Sequence, residues 1–337
     1  MEYTKIAVDA MGGDNAPFET VKGAVLAVKD NDKIKIFLTG PKDTVEKELA
    51  QYEYDSERIS VIDAPEIITN DESPVNAIRQ KKNSSLVVGL RTIKSEECDA
   101  FVSAGSTGAI LAGASTIAGK LPRVMRTPLA PLVPTKAGYM LLTDCGANVD
   151  AKPQHLLQFA KMGSIYMENV VGVKNPRVGL LNIGVEEEKG NALVKEALPL
   201  FKECGDINFI GFVEAREALI GGVDVVVCEA FAGNIMLKTY EGAGSVLLSS
   251  IKETLMSSLQ GKIGGLIIKG PLGTLVKKFK AEEYGGAPLL GLKGLVVKTH
   301  GNATHREIYN SILQCVTFKE QRINEKISEV IAAGSGE

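Results

Sequence analysis

Four short turns carry the residues best suited to chemistry. The first is Asp9-Ala10-Met11-Gly12-Gly13-Asp14, which ends the apolar run Lys5-Ile6-Ala7-Val8. Adjacent glycines permit positive φ and let a ligand approach bare backbone. The second is Ser103-Ala104-Gly105-Ser106-Thr107-Gly108, after Phe101-Val102. The third runs from Asn182-Ile183-Gly184 through three glutamates to Lys189-Gly190-Asn191, and the fourth is Glu229-Ala230-Phe231-Ala232-Gly233-Asn234. Each follows an apolar run and opens a helical pattern. A helix start offers unpaired N–H groups and the positive end of a dipole, which suits an anion. Any one of these turns is equally a tight structural turn. Four together point to a phosphate-type ligand held by Asp9, Gly12, Gly13, Asp14, Ser103, Gly105, Ser106, Thr107, Gly184 and Gly233.

The elements that position these turns follow from periodicity. Short runs rich in Val, Ile or Phe at 34–39, 59–62, 100–103, 178–182, 207–213, 223–228 and 295–299 read as strands. Amphipathic stretches at 45–52, 85–96, 107–120, 153–171 and 191–202 read as helices between them. Asp14 or Asn15, ahead of Pro17, reads as the cap of a first helix over 18–28. The alternation predicts an α/β fold, a mainly parallel sheet with helices on both faces. Residues 129–134 and 139–143 read as an antiparallel hairpin inside that sheet. No low-complexity linker interrupts residues 1–337, so the expectation is a single α/β domain, or two lobes sharing one core. In such sheets ligands bind at the carboxyl ends of the strands, where the turns should gather.

The 337-residue chain has 45% hydrophobic and 23% charged residues, ordinary values for a soluble globular protein. A net charge of −3 gives no reason to expect nucleic acid as a partner. The five cysteines are scattered without Cys-x-x-Cys spacing, so neither a zinc site nor a disulfide framework is indicated. There is no signal-peptide pattern and no apolar run long enough to span a membrane, so a cytoplasmic protein is expected. Neither Gly-x-Gly-x-x-Gly after a strand nor Gly-x-x-x-x-Gly-Lys-Ser/Thr occurs, and a smaller anion than a nucleotide is the simpler ligand.

Seven blocks, among them "KIAVDAMGGDNAP", "DAFVSAGSTGAILAGA", "DCGANVDAKPQHLLQFAKMG", "LLNIGVEEEKGNALVKEA" and "VVVCEAFAGNIMLKTYEG", closely resemble the bacterial phosphate acyltransferase family. The resemblance runs from about residue 4 to residue 320. It implies conversion of acyl-acyl-carrier protein and inorganic phosphate into acyl phosphate and free carrier protein, an early step of phospholipid synthesis. It further implies a fold similar to the isocitrate/isopropylmalate dehydrogenase and phosphotransacetylase group, a homodimer, and peripheral attachment to the inner face of the cell membrane. Ser106 stands where the family usually has Asn, and Cys145 where it usually has an aliphatic residue.

That chemistry needs phosphate stripped of water and aimed at a thioester carbonyl, with an oxyanion and then a thiolate stabilised. Phosphate supplies the nucleophile, so no cofactor and no metal are called for. Lys189, the lone cation among three glutamates after a strand end, could hold phosphate or the oxyanion, or be a solvated surface lysine. Asn182 and Asn234 could orient the carbonyl or cap helices. His300, beyond the last strand, could protonate the leaving thiolate or orient phosphate. His300 with His305 lacks a third ligand at metal-binding spacing. Cys145 could be a nucleophile, though a small buried thiol is the commoner case. The acidic stretch 63–74 could hold a cation or be an exposed loop. Lys82, in the basic cluster Arg79-Lys81-Lys82-Asn83-Ser84-Ser85 ahead of a helix, could meet phosphate or the acidic carrier protein, or belong to an ordinary solvated face.

Residues 245–284 read as a helical hairpin broken at Gly270-Pro271. From Gly261 to Lys280 there are five lysines and no acidic residue. Lys262, Leu266, Ile267, Lys269 and Leu272 belong to an apolar surface framed by lysines, suited to an anionic membrane or a partner. A dimer interface built from the same helices is the alternative.

Overall fold

The computed structural model describes residues 3–278 and 285–333. The first half builds β1 (Thr4–Asp9), α1 (Phe18–Asp30), β2 (Ile34–Gly40), α2 (Lys42–Leu49), β3 (Ile59–Asp63), α3 (Pro74–Gln80), α4 (Ser85–Lys94), β4 (Ala100–Ser103) and α5 (Thr107–Gly113). A π-turn continues α5 through Ala114–Ala118. Then come β5 (Leu132–Thr135), β6 (Gly138–Thr143), α6 (Pro153–Tyr166), β7 (Arg177–Leu181), α7 (Ala192–Glu203), β8 (Asn208–Val213), α8 (Ala215–Ile220) and β9 (Val225–Val227). The last part is α9 (Ala230–Met256), α10 (Leu259–Lys278), β10 (Ala287–Leu289), β11 (Leu295–Lys298), α11 (His305–Glu320) and α12 (Ile323–Ala333).

The architecture is α/β, and the parallel strands are distributed over two sheets rather than the one expected. The first has the order β10-β11-β4-β1-β2-β3, the second β5-β6-β9-β7-β8. Each is parallel except at one edge, where β10 runs antiparallel to β11 and β5 antiparallel to β6. The expected hairpin is therefore real but edges the second sheet. The two edges meet through an isolated antiparallel bridge between Leu129 and Leu289. Pro128 and Pro131 flank that bridge, and neither has an N–H to extend a ladder. The seam stays short for that reason. Followed through it, the parallel strands of one sheet run opposite to those of the other.

Packing joins what the hydrogen bonds leave apart. One cluster of buried apolar side chains takes Ile6 and Val8 from β1, Val102 from β4, Leu141 from β6 and Leu180 from β7. Phe159 of α6 and Ile308 and Ile312 of α11 complete it. The sheets thus share a continuous core.

Two local expectations change. The start of α1 is not capped by Asp14 or Asn15: Pro17 occupies the cap position without a side-chain bond, and Asn15 Nδ2 donates to the Asn302 carbonyl at 3.2 Å instead. The break in the helical hairpin falls at Ser257-Ser258, not at Gly270-Pro271. Ser257 Oγ donates to the Thr254 carbonyl at 2.8 Å, and Gly261 N–H donates to Ser258 Oγ at 3.0 Å, which ends one helix and starts the next. Pro271 remains inside α10, on an exposed helix where water can satisfy the carbonyl that a proline leaves unbonded. Lys262, Leu266, Ile267 and Lys269 are exposed on α10, and Leu272 is half-buried. Residues 279–284 of the expected hairpin lie outside the described residues.

Candidate active site

β1, β4 and β11 are neighbours in the first sheet, so the turns at their carboxyl ends meet. Asp9 closes β1 and is buried, and Ser103 Oγ, at the end of β4, donates to its Oδ2 at 2.7 Å. The same Oγ accepts the Gly105 N–H at 3.0 Å, while Met11 N–H donates to Asp9 Oδ1 at 3.2 Å. Burial pushes the Asp9 carboxyl above its usual range, against hydrogen bonds from Ser85 and Ser103. Gly12 lies on this network. A β-carbon there would stand 2.7 Å from Asp9 Oδ2 and 2.9 Å from both Ser103 Oγ and Gly105 N. Only glycine fits. The neighbouring Asp14, exposed, donates its N–H to the Gly301 carbonyl at 2.7 Å, which ties the first turn to the loop after β11.

Ser106 is nearly buried and Thr107 exposed at the start of α5. No side chain caps that start, so its N–H groups are left open. The other two turns differ. Asn191 Oδ1 accepts the Val194 N–H of α7 at 3.1 Å, and the Glu229 carboxylate takes the Phe231 and Ala232 N–H groups of α9 at 2.5 and 3.0 Å. Their helix starts already hold an acceptor of their own.

His300 stands beyond β11 with its side chain 43% exposed. Its N–H donates to Glu307 Oε1 at 2.8 Å, and its Nε2 lies 3.7 Å from Glu241 Oε1. Beside it Lys298 is largely enclosed, and burial, then the neighbouring Lys238, holds its ammonium below the usual lysine range. Lys238 and Glu241 project from α9 at a spacing that Asn234 continues toward the helix start, so the three share one stripe. The base of that helix is fixed on the second sheet. A β-carbon on Gly233 would stand 1.9 Å from the Asp144 carbonyl, so α9 can dock there only with glycine. Thus α9 crosses from the end of β6 to the end of β11 and carries exposed Asn234 along the way.

The third turn forms a separate group. Lys189 Nζ pairs with Glu186 at 2.7 Å, with its side chain 47% exposed, and that contact raises the lysine's pKa. Asn182 Nδ2 donates to the Lys189 carbonyl at 3.2 Å and so braces the loop. Gly184 packs against the Lys189 side chain. An open cleft of about 540 Å³ lies here, lined by Asn182, Ile183, Glu214, Ala215 and Arg216. Among the described residues, no hydrogen bond or ion pair joins this group to Asp9 and Ser103. The expectation that all four turns line one edge of one sheet is corrected accordingly: Gly12 and Gly105 meet in the first sheet, and Gly184 and Gly233 belong to the second.

The remaining sequence candidates take ordinary places. His305 pairs with Glu19 through Nδ1 at 2.7 Å, apart from His300. Cys145 is buried and its thiol pushed well up by burial, which suits packing and not nucleophilic attack. In the acidic stretch Glu72 accepts from Lys81 Nζ at 2.7 Å, so the chain supplies its own cation. Lys82 is exposed, three residues before Ser85.

Sequence reasoning placed Ser85 only in the basic cluster and missed its approach to Asp9, and it passed over Glu241, Lys298, Glu307 and the Asp144 turn. Asp144 is fully buried and accepts N–H bonds from Leu129, Gly146, Ala147 and Asn148 at 2.7–3.2 Å. The run Asp144-Cys145-Gly146-Ala147-Asn148 after a strand was the signal available for it.

A family model described as fatty acid synthesis protein matches residues 4–326. The chain is 49% identical over 323 residues to the phosphate acyltransferase of Clostridium acetobutylicum, covering 96% of this chain and 97% of that one. To the phosphate acyltransferase of Alkaliphilus oremlandii it is 49% identical over 329 residues, covering 98% of each. The chain belongs to this family of phosphate acyltransferases. It is an acyl-transferring enzyme. Among solved structures it is similar to a phosphotransacetylase from Streptococcus pyogenes, with a TM-score of 0.60, 17% identity and 94% of each chain covered. A phosphotransacetylase from Staphylococcus aureus gives 0.59 and 18%, over 95% of this chain and 94% of that one. Both likenesses concern the fold.

Proposed function

We propose that this enzyme transfers an acyl group from the thioester of acyl-carrier protein to inorganic phosphate, giving acyl phosphate and free carrier protein for phospholipid synthesis. The observation that carries the reading is the Asp9–Ser103–Gly105 network beneath an uncapped helix start, in a chain nearly half identical to phosphate acyltransferases along its length. In this reading the backbone of Gly12, Gly13, Gly105, Ser106 and Thr107 holds phosphate, with Asp14 and Lys82 at the rim. Ser103, its O–H donated to Asp9, holds the Gly105 turn in place against it. Fixed donors aimed at a dianion replace its water and leave one oxygen free to attack.

His300 faces the same end of β11 and orients phosphate or supplies a proton to the leaving thiolate. Asn234 reaches toward the thioester carbonyl from α9. Lys189, freed from Glu186, stabilises the oxyanion, and Asn182 and Gly184 shape its loop, with Gly233 seating α9. The exposed apolar residues of α9 and α10 suit pairing of two subunits and shallow contact with an anionic membrane face. No helix among the described residues is long and apolar enough to cross a membrane.

The test is donor comparison with purified enzyme and phosphate. Acyl-carrier protein should be consumed with kcat/KM at least ~10-fold above the same acyl group on coenzyme A, about 1.4 kcal/mol of preference. Equal or better use of coenzyme A thioesters would overturn the carrier-protein assignment.

A further inference from the structure

Residues 100–143 contain Lys120, Arg123, Arg126 and Lys136 and no acidic residue. The first three lie on the crossover leading into β5, and that crossover is pinned. Lys120 bridges Leu292 antiparallel, and its Nζ donates to the Met125 carbonyl at 2.7 Å. Met125 N–H donates to Gln158 Oε1 at 2.9 Å, and Gln158 Nε2 returns a bond to the Arg123 carbonyl at 3.1 Å. Arg123 itself reaches the Ala332 carbonyl at 3.1 Å. Gly119 packs on the Lys293 side chain, which brings a further cation to the same face. Lys152 joins from the start of α6, where its N–H donates to Nδ1 of the buried His155 at 3.1 Å. Burial, then the charges of Arg126, Lys152 and Lys120, depress the His155 pKa, so the field of all three cations reaches one imidazole.

Among the described residues none of Lys120, Arg123, Arg126, Lys152 and Lys293 forms a salt bridge. Exposed Met125 and Val149 lie among them, and the nearest acidic residue in the chain to Lys152 is exposed Asp150. The face also adjoins the candidate site. Thr127, next to Arg126, accepts a bond from Asn148 Nδ2 at 3.0 Å, and the Asn148 carbonyl accepts the Ala230 N–H that starts α9.

We infer that this rigid cationic face, which carries the exposed Met125, docks the acidic carrier protein that delivers the acyl thioester. The inference rests on the substrate reading above. Charge complementarity carries it: unpaired cations on a fixed backbone steer and orient an acidic partner, and guanidinium forks pair carboxylates with little loss of freedom. The exposed methionine supplies an adaptable apolar contact beside the cations.

The test is an Arg126→Glu/Lys152→Glu variant, with Arg126→Ala/Lys152→Ala as the milder form if charge reversal impairs folding. Binding of holo-carrier protein at low salt should weaken at least ~10-fold in the reversed variant, with the difference shrinking at high salt. KM for acyl-carrier protein should rise while kcat and the melting temperature hold. If wild type neither binds carrier protein nor consumes its acyl form, the substrate reading fails and this inference with it. If wild type does both and the variants match it, the docking face lies elsewhere. Loss of binding to anionic vesicles with unchanged carrier-protein binding would make the face a lipid contact and overturn the inference.

Discussion

Ser103 Oγ donates to Asp9 Oδ2 at 2.7 Å, a buried bond between β4 and β1 that joins residues 94 apart in the chain. Because the same oxygen accepts the Gly105 N–H, Asp9 sets the conformation of the β4–α5 turn through Ser103. Ser103→Ala should raise KM for phosphate ~10-fold or more and cost ~1–3 kcal/mol of stability, since it removes one donor from the buried Asp9 and leaves the Gly105 N–H without its acceptor. Phosphate titration of initial rates, with urea unfolding alongside, reads both. An unchanged KM would detach the network from phosphate.

Gly12→Ala tests the same site by volume. Its β-carbon would meet three polar atoms closer than 3.0 Å, all of them in that network. Activity should fall at least ~10-fold with a destabilisation of ~1–3 kcal/mol. Gly242→Ala, on an open face of α9, is the control and should be neutral or stabilising, because alanine favours helix. Retained activity in Gly12→Ala would show that the turn can move aside.

Asp9 also predicts a pH dependence. Burial raises its folded-state pKa above the ordinary value of 3.8. Between those two values the folded protein binds more protons than the unfolded chain, so this group's contribution is fully present below 3.8 and is lost as pH rises through the folded pKa. Asp9→Asn removes that loss. The stability of the variant relative to wild type should therefore rise with pH from about 4 upward and then level off. Parallel pH profiles in chemical unfolding would contradict a buried, raised carboxyl.

The first-sheet part of the site was legible because glycines and small polar residues after β-branched runs have few other uses. The approach of Ser85 to Asp9 was not, since it depends on how α4 packs. Nor was Glu241, whose distance from His300 follows from the direction α9 takes after leaving Gly233. The Gly270-Pro271 pair misled because a proline breaks a packed helix more readily than an exposed one. The serines at 257 and 258 were the working signal. Two sheets were read as one because their separation depends on Pro128 and Pro131 at a seam, while the strand patterns on either side are alike. Residues 305–333 form two helices that the periodicity reading left unassigned, although Ile308, Ile312 and Val316 have helical spacing.

For the hairpin, Leu266→Asp/Ile267→Asp should release the enzyme from anionic vesicles while acyl phosphate formation in solution persists. Both side chains are over 70% exposed, so their loss should not unfold the protein. Each lysine near an anionic surface adds about 1 kcal/mol, which salt screens. Co-sedimentation at two salt concentrations decides it. A variant that still sediments clears this face of α10 of the role, and one that falls to monomers places these residues in a subunit interface.

Lys189→Ala should lower kcat at least ~10²-fold with unchanged melting, because a charged donor to the developing oxyanion is lost. Lys189→Arg should recover part of it. Near-normal turnover would reduce Lys189 to the loop contact it makes with Glu186.

Phosphate-dependent deacylation of acyl-carrier protein tests the central claim most directly. Purified enzyme, acyl-carrier protein and inorganic phosphate should give hydroxylamine-trappable acyl phosphate in equal amount to free carrier thiol, and none when phosphate is omitted. Carrier thiol released at the same rate without phosphate, or with free fatty acid as the product, would contradict it.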